Sequence, residues 1–116
     1  MQRSLITVIA SKVKADFEAG RIERKVLKKL YQQYNRINNI DIFLKSAGNM
    51  FPELNCGLTS VYLKKIFPDG EIINGKYENN NHTFILLNDF VVDITADQYG
   101  GPKVYVGTLK RPWALS

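Results

Sequence analysis

Cysteine and histidine each occur only once in this 116-residue chain, as Cys56 and His82. A single cysteine cannot form an internal disulfide, and one cysteine with one histidine falls short of the four ligands of a structural zinc site. We therefore expect no metal and no cofactor. Two roles remain for Cys56, that of a small buried apolar residue and that of a reactive thiol.

Long apolar runs are also missing, and the longest are as short as the segment from Phe84 to Leu87. A helix that crosses a bilayer needs roughly 20 apolar residues, so we expect no membrane span. Near the N-terminus, Lys12, Lys14 and Asp16 interrupt a brief apolar run before the core of a signal peptide is complete. The composition is typical of a soluble protein, and it leaves open whether the protein acts in the cytoplasm or is delivered into a target cell.

Acidic residues are fewer than basic ones, 11 against 16, which gives a formal charge of +5. One predicted helix carries six of the basic residues: Arg21, Arg24, Lys25, Lys28, Lys29 and Arg36. Such a helix could meet nucleic acid, an acidic membrane surface or an acidic protein, although a solvated helix face is the simpler interpretation. No pair of metal-binding carboxylates and no aromatic-basic motif is evident, so a nuclease or nucleic-acid binder is disfavoured.

Length and composition predict a single domain over residues 1–116. With 45% hydrophobic residues, the chain can bury one sizeable core and is too short to divide comfortably into two. Within this domain, residues 1–49 form a helical half. Residues 50–116 hold the helix that begins near Cys56 and an antiparallel sheet.

Helical periodicity dominates the first half of the chain. Apolar residues recur at spacings of three and four from Ser4 to Phe17 and again from Arg21 to Ile37, which predicts two helices. Gly20 separates them, so we expect an antiparallel helical hairpin with both apolar stripes packed in the core. The segment from Ile40 to Leu44 fits either a strand or a helix, and Ala47 to Pro52 is predicted to be a loop.

Strand-like patterning begins after Gly70, where the helix that starts near Cys56 is expected to have ended. Asn, Asp, Gly and Pro turns divide four strand segments: Glu71 to Tyr77, His82 to Leu87, Phe90 to Thr95 and Val104 to Val106. This order predicts an α+β fold in which the N-terminal helices and the Cys56 helix pack on the antiparallel sheet.

Cys56 falls at the predicted start of its helix. Unpaired backbone N–H groups and the helix dipole favour a thiolate there, and hence a nucleophile. Gly57 beside it permits close approach of a substrate. On this observation alone, a small buried apolar role for Cys56 stays open.

His82 and Asp93 are predicted to share one face of the sheet. If Asn88-Asp89 form a two-residue turn, Leu87 pairs with Phe90 and the two residues become diagonal neighbours. A carboxylate that accepts one ring N–H fixes the imidazole tautomer and leaves the other nitrogen to take a proton from a thiol. The alternative is a solvated histidine at the end of a strand.

Three short motifs follow one another in the chain: Asn55-Cys56-Gly57, His82-Thr83-Phe84 and Val92-Asp93-Ile94-Thr95. Together they resemble the papain-like cysteine protease superfamily in its transglutaminase-like form. The resemblance covers roughly Asn55 to Val106, and the segment from Asp93 to Tyr99 is similar to small bacterial peptidases and toxin or effector domains. It departs at Thr83, where many members have a small residue followed by Trp; here Phe84 takes the aromatic position.

The resemblance implies a Cys56-His82-Asp93 triad that catalyses thiol-dependent acyl transfer on an amide, as a cysteine peptidase, amidase or protein deamidase. It also implies a protein or peptide substrate and, for a toxin domain, an inhibitory or immunity protein. The backbone N–H of Cys56 is the natural oxyanion donor, with the side-chain amides of Asn55 and Gln98 as further candidates. The alternative function is a catalytically inert papain-like binding module that holds a partner through the basic helix.

Overall fold

Four α-helices precede a five-stranded antiparallel sheet in the computed structural model, which describes residues 2–116. The helices are α1 (Arg3–Glu18), α2 (Arg24–Gln32), α3 (Ile40–Met50) and α4 (Cys56–Ile66). The strands are β1 (Glu71–Tyr77), β2 (Asn80–Leu87), β3 (Phe90–Asp93), β4 (Tyr105–Thr108) and β5 (Trp113–Ala114). A short 3-10 helix, Ala96–Tyr99, lies between β3 and β4. The α+β fold predicted from the sequence is therefore confirmed.

The strands are arranged in the order β4-β3-β2-β1-β5, and every neighbouring pair is antiparallel. β2 lies at the centre, and β5 brings the C-terminal end of the chain to the edge beside β1. Gly75 of β1 makes this pairing possible, because a Cβ atom there would lie 2.3 Å from the carbonyl oxygen of Ala114. The last residues of the chain are thereby fixed against the sheet.

The hairpin between β2 and β3 has the register that the sequence predicts. Leu87 pairs with Phe90 across the two-residue turn Asn88-Asp89, whose φ angles are 51° and 65°. Two consecutive positive φ angles are typical of a type I′ turn, whose twist matches that of the flanking strands, and Asn and Asp tolerate this conformation better than most residues. The turn chemistry thus fixes which residues of β2 and β3 face the same side.

α1 and α4 cover one face of the sheet. α1 packs against β3 and β4, and α4 packs mainly against β2. The apolar stripe of α1 is buried with Leu63 of α4 and Ile85 of β2, and it comprises Ile6, Ala10 and Val13. Spacings of four and three put these side chains on one side of the helix, so burial of this stripe seats α1 on the sheet.

The first two helices do not pack mainly against each other, as the predicted helical hairpin requires. α1 lies on the sheet, whereas α2 packs against α3 and α4. α2 is also shorter than predicted and has no fully buried side chain, in contrast to the core stripe expected there. Residues 33–39 are exposed, so extending α2 through them would bury no apolar surface and would add little stability.

The segment left undecided at Ile40 to Leu44 is helical, and the loop predicted from Ala47 is wrong up to Met50. Ile40, Leu44 and Ala47 are all buried on one side of α3, so apolar burial carries the helix through Gly48 and Asn49 despite their weak helix propensity. At the other end of the chain, β3 stops at Asp93, β4 is displaced to Tyr105–Thr108, and the short strand β5 was not predicted.

The longest helix, α1, has 16 residues and carries charged side chains along its exposed side. A helix that spans a bilayer needs roughly 20 predominantly apolar residues. Over residues 2–116, no helix has the length and apolar character to cross a membrane.

A pair of isoleucines tests the assignment of the core. Ile85 is fully buried in the centre of the sheet, whereas Ile42 on α3 is 66% exposed. We expect Ile85→Ala to lower the free energy of unfolding by about 2–5 kcal/mol, because it leaves a cavity. Ile42→Ala should change it by less than about 0.5 kcal/mol. Urea unfolding followed by circular dichroism measures both, and equal effects would contradict this core.

Candidate functional site

Cys56 is the first residue of α4, in a half-buried position at its N-terminus. The preceding loop is held by Asn55, whose buried side-chain Nδ2 donates to the carbonyl oxygens of Ala47 and Glu53, both at 2.8 Å. Both amide hydrogens of Asn55 are therefore engaged inside the protein. This arrangement argues against the predicted oxyanion role for the Asn55 side chain and makes it a brace for the loop that presents Cys56.

His82 and Asp93 are hydrogen-bonded to each other, as the hairpin register predicts. Nε2 of His82 lies 2.7 Å from Oδ2 of Asp93, and both side chains are almost fully buried. An ionised carboxylate can only accept, so Nε2 carries the proton and donates it. A solvated histidine at a strand end, the alternative considered from the sequence, does not describe this residue.

Three further donors surround the Asp93 carboxylate. Its Oδ1 accepts from the backbone N–H of Thr95 at 2.9 Å and from the Thr95 hydroxyl at 3.3 Å. Its Oδ2 accepts from the indole Nε1 of Trp113 at 2.8 Å, in addition to His82. Both oxygens of the buried carboxylate are thus satisfied, which keeps the charge in place at low energetic cost.

Sequence reasoning missed Thr95 and Trp113 as parts of this site. Thr95 could have been found, because a carboxylate that accepts from the backbone N–H two residues on is a common local motif of Asp. Trp113 lies 20 residues from Asp93 and carried no local signal. Only the pairing of β5 with β1 brings its indole to the carboxylate.

Aromatic rings enclose the imidazole of His82. The ring of Tyr99 is edge-on at 5.3 Å between centroids, that of Tyr77 lies at 6.1 Å, and Phe84 packs on the same strand at 6.1 Å. Nε2 is occupied by Asp93, whereas the buried Nδ1 makes no hydrogen bond of good geometry within residues 2–116. The ring is therefore held by one nitrogen and by packing, with its second nitrogen free.

The thiol of Cys56 is close enough to His82 for each group to change the pKa of the other. Burial raises the pKa of the Cys56 thiol, but its interactions with the His82 side chain and with the backbone of Thr83 outweigh burial, so the pKa is lower than usual. For His82, burial lowers the pKa, and the stronger opposing effect of Asp93 and Cys56 raises it to about 9. Both shifts favour a thiolate beside an imidazolium.

A pocket of about 740 Å³ opens onto Cys56. Four aromatic side chains line it: Tyr31 of α2, Tyr34 just after α2, Phe43 of α3 and Tyr99 of the 3-10 helix. Tyr31 lies directly against Gly57, where a Cβ atom would be 3.2 Å from the Tyr31 ring. A side chain at position 57 would therefore push Tyr31 away from the thiol, which explains the need for glycine there.

Gln98 lines the same pocket as Cys56, on the 3-10 helix that follows Asp93. Its side-chain Nε2 is buried and has no hydrogen-bond partner among residues 2–116. An unpaired buried amide is unfavourable unless something else fills the role of acceptor. Of the two side-chain amides proposed from the sequence, Gln98 has the free donor and Asn55 does not.

No group of three or more His, Cys, Asp or Glu side chains in residues 2–116 is arranged to hold a metal ion. Comparison of the chain with family models, with curated proteins and with solved structures found no match. The papain-like resemblance therefore stays a prediction. What the site can do follows from its geometry: a thiol, a base beside it and a buried carboxylate behind the base.

The lowered pKa of Cys56 can be measured through its rate of alkylation by iodoacetamide. Because the thiolate is the reacting form, the rate should rise with pH around a midpoint below about 8.5, the ordinary value for a cysteine. His82→Gln should move the midpoint upward, since it removes the main group that lowers this pKa. A midpoint at the ordinary value, or one that His82→Gln leaves in place, would contradict the described interaction.

The raised pKa of His82 predicts a pH-dependent stability, best observed in a Cys56→Ala variant that removes thiol titration. The unfolded imidazole loses its proton near 6.5, whereas the folded one keeps it to higher pH. Stabilisation by the protonated pair with Asp93 is complete below pH 6.5, and it is lost as the pH rises through the folded pKa, which lies below 9 in this variant because Cys56 no longer raises it. Urea unfolding at several pH values should show this decline, and the double variant with His82→Gln should lack it.

Proposed function

We propose that this protein catalyses thiol-dependent acyl transfer on an amide, with Cys56 as nucleophile, His82 as acid and base, and Asp93 as the group that orients His82. One observation carries the proposal. His82 is fixed by Asp93 through Nε2, while its Nδ1 is free and the adjacent thiol has a lowered pKa. A purely structural cysteine and histidine need neither the orientation nor the shifted proton equilibrium.

In the first step the thiolate of Cys56 attacks the carbonyl carbon of the amide, and a C–S bond forms as the carbonyl electrons move to oxygen. The backbone N–H of Cys56, at the first position of α4, has no partner within the helix and can stabilise this oxyanion. His82 then gives its proton to the leaving nitrogen. The C–N bond breaks, and a thioester remains on Cys56.

In the second step His82, now neutral, takes a proton from water, and the resulting hydroxide attacks the thioester. The acid is released and the thiolate returns, paired again with the imidazolium. Throughout, Asp93 keeps the proton of His82 on Nε2, so that Nδ1 serves as the working nitrogen. An amine in place of water would give transamidation by the same route.

The same geometry serves a cysteine peptidase, an amidase and a protein deamidase, which differ in the amide that reaches Cys56. The open pocket beside the thiol is wide enough for a side chain of a protein or peptide substrate. A papain-like domain of the transglutaminase-like form, acting as a bacterial toxin or effector, agrees with these features. An inhibitory or immunity protein would then be its partner.

A catalytically inert binding module is the second candidate. One observation favours it: α2 has no fully buried side chain and exposes Arg24, Lys25 and Lys29 to solvent. Charged helix faces are common on proteins without such a role. The reactivity of Cys56 separates the two functions, because a binding module has no need of an activated thiol.

Acylation of Cys56 by p-nitrophenyl acetate tests the proposal directly. We expect a burst of p-nitrophenolate, an acetyl group on Cys56 in the intact mass spectrum, and its slow loss by hydrolysis. Cys56→Ala should abolish the burst and leave circular dichroism unchanged. Absence of an acetylated Cys56 would argue for the binding module.

Asp93→Asn tests the orienting role. Acylation should fall by orders of magnitude, as is general when a triad carboxylate is replaced by its amide. Both carboxylate oxygens accept hydrogen bonds, so the new NH₂ must face a donor, and stability should also fall by about 1–3 kcal/mol. The exposed Asp69→Asn is the control and should change neither. Near-normal acylation in Asp93→Asn would reduce the triad to a Cys-His pair.

A further inference from the structure

Lys14 is a lysine buried in the interior, with 3% of its surface exposed. Its Nζ donates a hydrogen bond to the carbonyl oxygen of Ile94 at 2.7 Å, and it lies 2.8 Å from Oδ1 of Asp97 as an ion pair that is not aligned as a hydrogen bond. Lysine is almost never fully buried unless its charge is paired, because removing an ammonium group from water is costly. Lys14 lies on the side of α1 that packs on the sheet, where an apolar residue would be less costly to bury. The presence of a charge there needs an explanation.

Both partners of Lys14 belong to the segment that leaves β3 and enters the 3-10 helix. Ile94 follows Asp93 directly, and Asp97 is the second residue of the 3-10 helix Ala96–Tyr99. The helix is only four residues long, with few internal hydrogen bonds of its own to fix it. The Lys14 ammonium group contacts both Ile94 and Asp97, and it therefore fixes the orientation of this short helix relative to α1.

Gln98, the next residue after Asp97, is the one with the unpaired buried Nε2 in the pocket of Cys56. A donor that stabilises an oxyanion must be held ready before the charge develops, and it has no acceptor until then. The unpaired state of Nε2 in the free protein is what such a donor requires. A glutamine that only braced the turn would have its amide bonded to the backbone.

We propose that the Gln98 side chain donates to the substrate oxyanion and that the ion pair between the buried Lys14 and the partly exposed Asp97 positions it. This inference rests on the proposed acyl transfer at Cys56. It gives α1 a part in the reaction: Lys14 is a positioning residue that acts through Asp97 and the backbone at Ile94. The first helix thus contributes to the site without contacting the substrate.

Two reactions of the same thiol separate this role from simple stability. Acylation by p-nitrophenyl acetate passes through an oxyanion, whereas alkylation by iodoacetamide displaces iodide at a saturated carbon and does not. The ratio of the two rates at one pH therefore reports on the oxyanion donor and cancels changes in thiolate content. Urea unfolding, measured in parallel, reports on stability.

Three variants each change one residue of the proposed Lys14-Asp97-Gln98 arrangement. Gln98→Ala removes the donor, Lys14→Met removes the charge at similar length, and Asp97→Asn breaks the ion pair at a partly exposed residue that should tolerate the change. Arg3→Met is the matched control. Arg3 also ties α1 to a backbone carbonyl, that of Val106 on β4, at 2.7 Å, but it does so away from the 3-10 helix.

We expect Gln98→Ala to lower the acylation-to-alkylation ratio by about 10²-fold, the effect of losing one oxyanion donor. Lys14→Met and Asp97→Asn should each lower it about tenfold, and Arg3→Met should not change it. The double variant Lys14→Met/Gln98→Ala should be no worse than Gln98→Ala alone, because both act through one donor.

An unchanged ratio in Gln98→Ala, or multiplying effects in the double variant, would overturn the inference while the acyl transfer itself stands. If Lys14→Met does not fold, Asp97→Asn decides the positioning role, and a ratio equal to that of the unsubstituted protein refutes it. An unsubstituted protein that is alkylated at Cys56 but never acylated refutes the proposed function, and this inference with it.

Discussion

The structure is organised around one buried negative charge, the carboxylate of Asp93. A carboxylate removed from water is costly unless every lone pair finds a donor, and here the donors are His82, Thr95 and Trp113. They come from β2, from the backbone that leaves β3, and from β5. A hydrogen-bond donor from each of these three segments is therefore required for the charge to remain in the core. The carboxylate in turn fixes the positions of the three segments relative to one another.

The imidazole of His82 connects the buried carboxylate of Asp93 to the thiol of Cys56. The carboxylate holds Nε2 of His82, the aromatic rings of Tyr77 and Tyr99 pack around the imidazole, and the ring lies close enough to Cys56 to change the pKa of its thiol. Because these groups are shielded from water, their electrostatic interactions are stronger than they would be at the surface. The raised pKa of the imidazole is a consequence of this buried charge, and the lowered pKa of the thiol is in turn a consequence of its interactions with the imidazole and with Thr83.

Local rules account for the parts of the fold that the sequence predicted well. α1, α4 and the β2-β3 hairpin depend on apolar spacing and turn chemistry, which act within a few residues, and their predicted limits lie close to the observed ones. α2 and α3 were predicted less well. Ala47 to Met50 is helical because α3 buries one side against its neighbours, and α2 stops at Gln32 where nothing remains to be buried.

By itself the sequence predicted that His82 and Asp93 share a face if Asn88-Asp89 form a two-residue turn, because the period of a strand then leaves only one shared face, and the structure has this register. It also placed Cys56 at a helix start. The tertiary structure decided three contacts that no local rule predicts. Trp113 completes the hydrogen bonds of the Asp93 carboxylate, and Lys14 is buried beneath the 3-10 helix. The side-chain amide of Asn55 is hydrogen-bonded to the loop, whereas Nε2 of Gln98 has no hydrogen-bond partner among residues 2–116. These are contacts between segments far apart in the chain, and only the packing of the whole domain brings such segments within hydrogen-bonding distance.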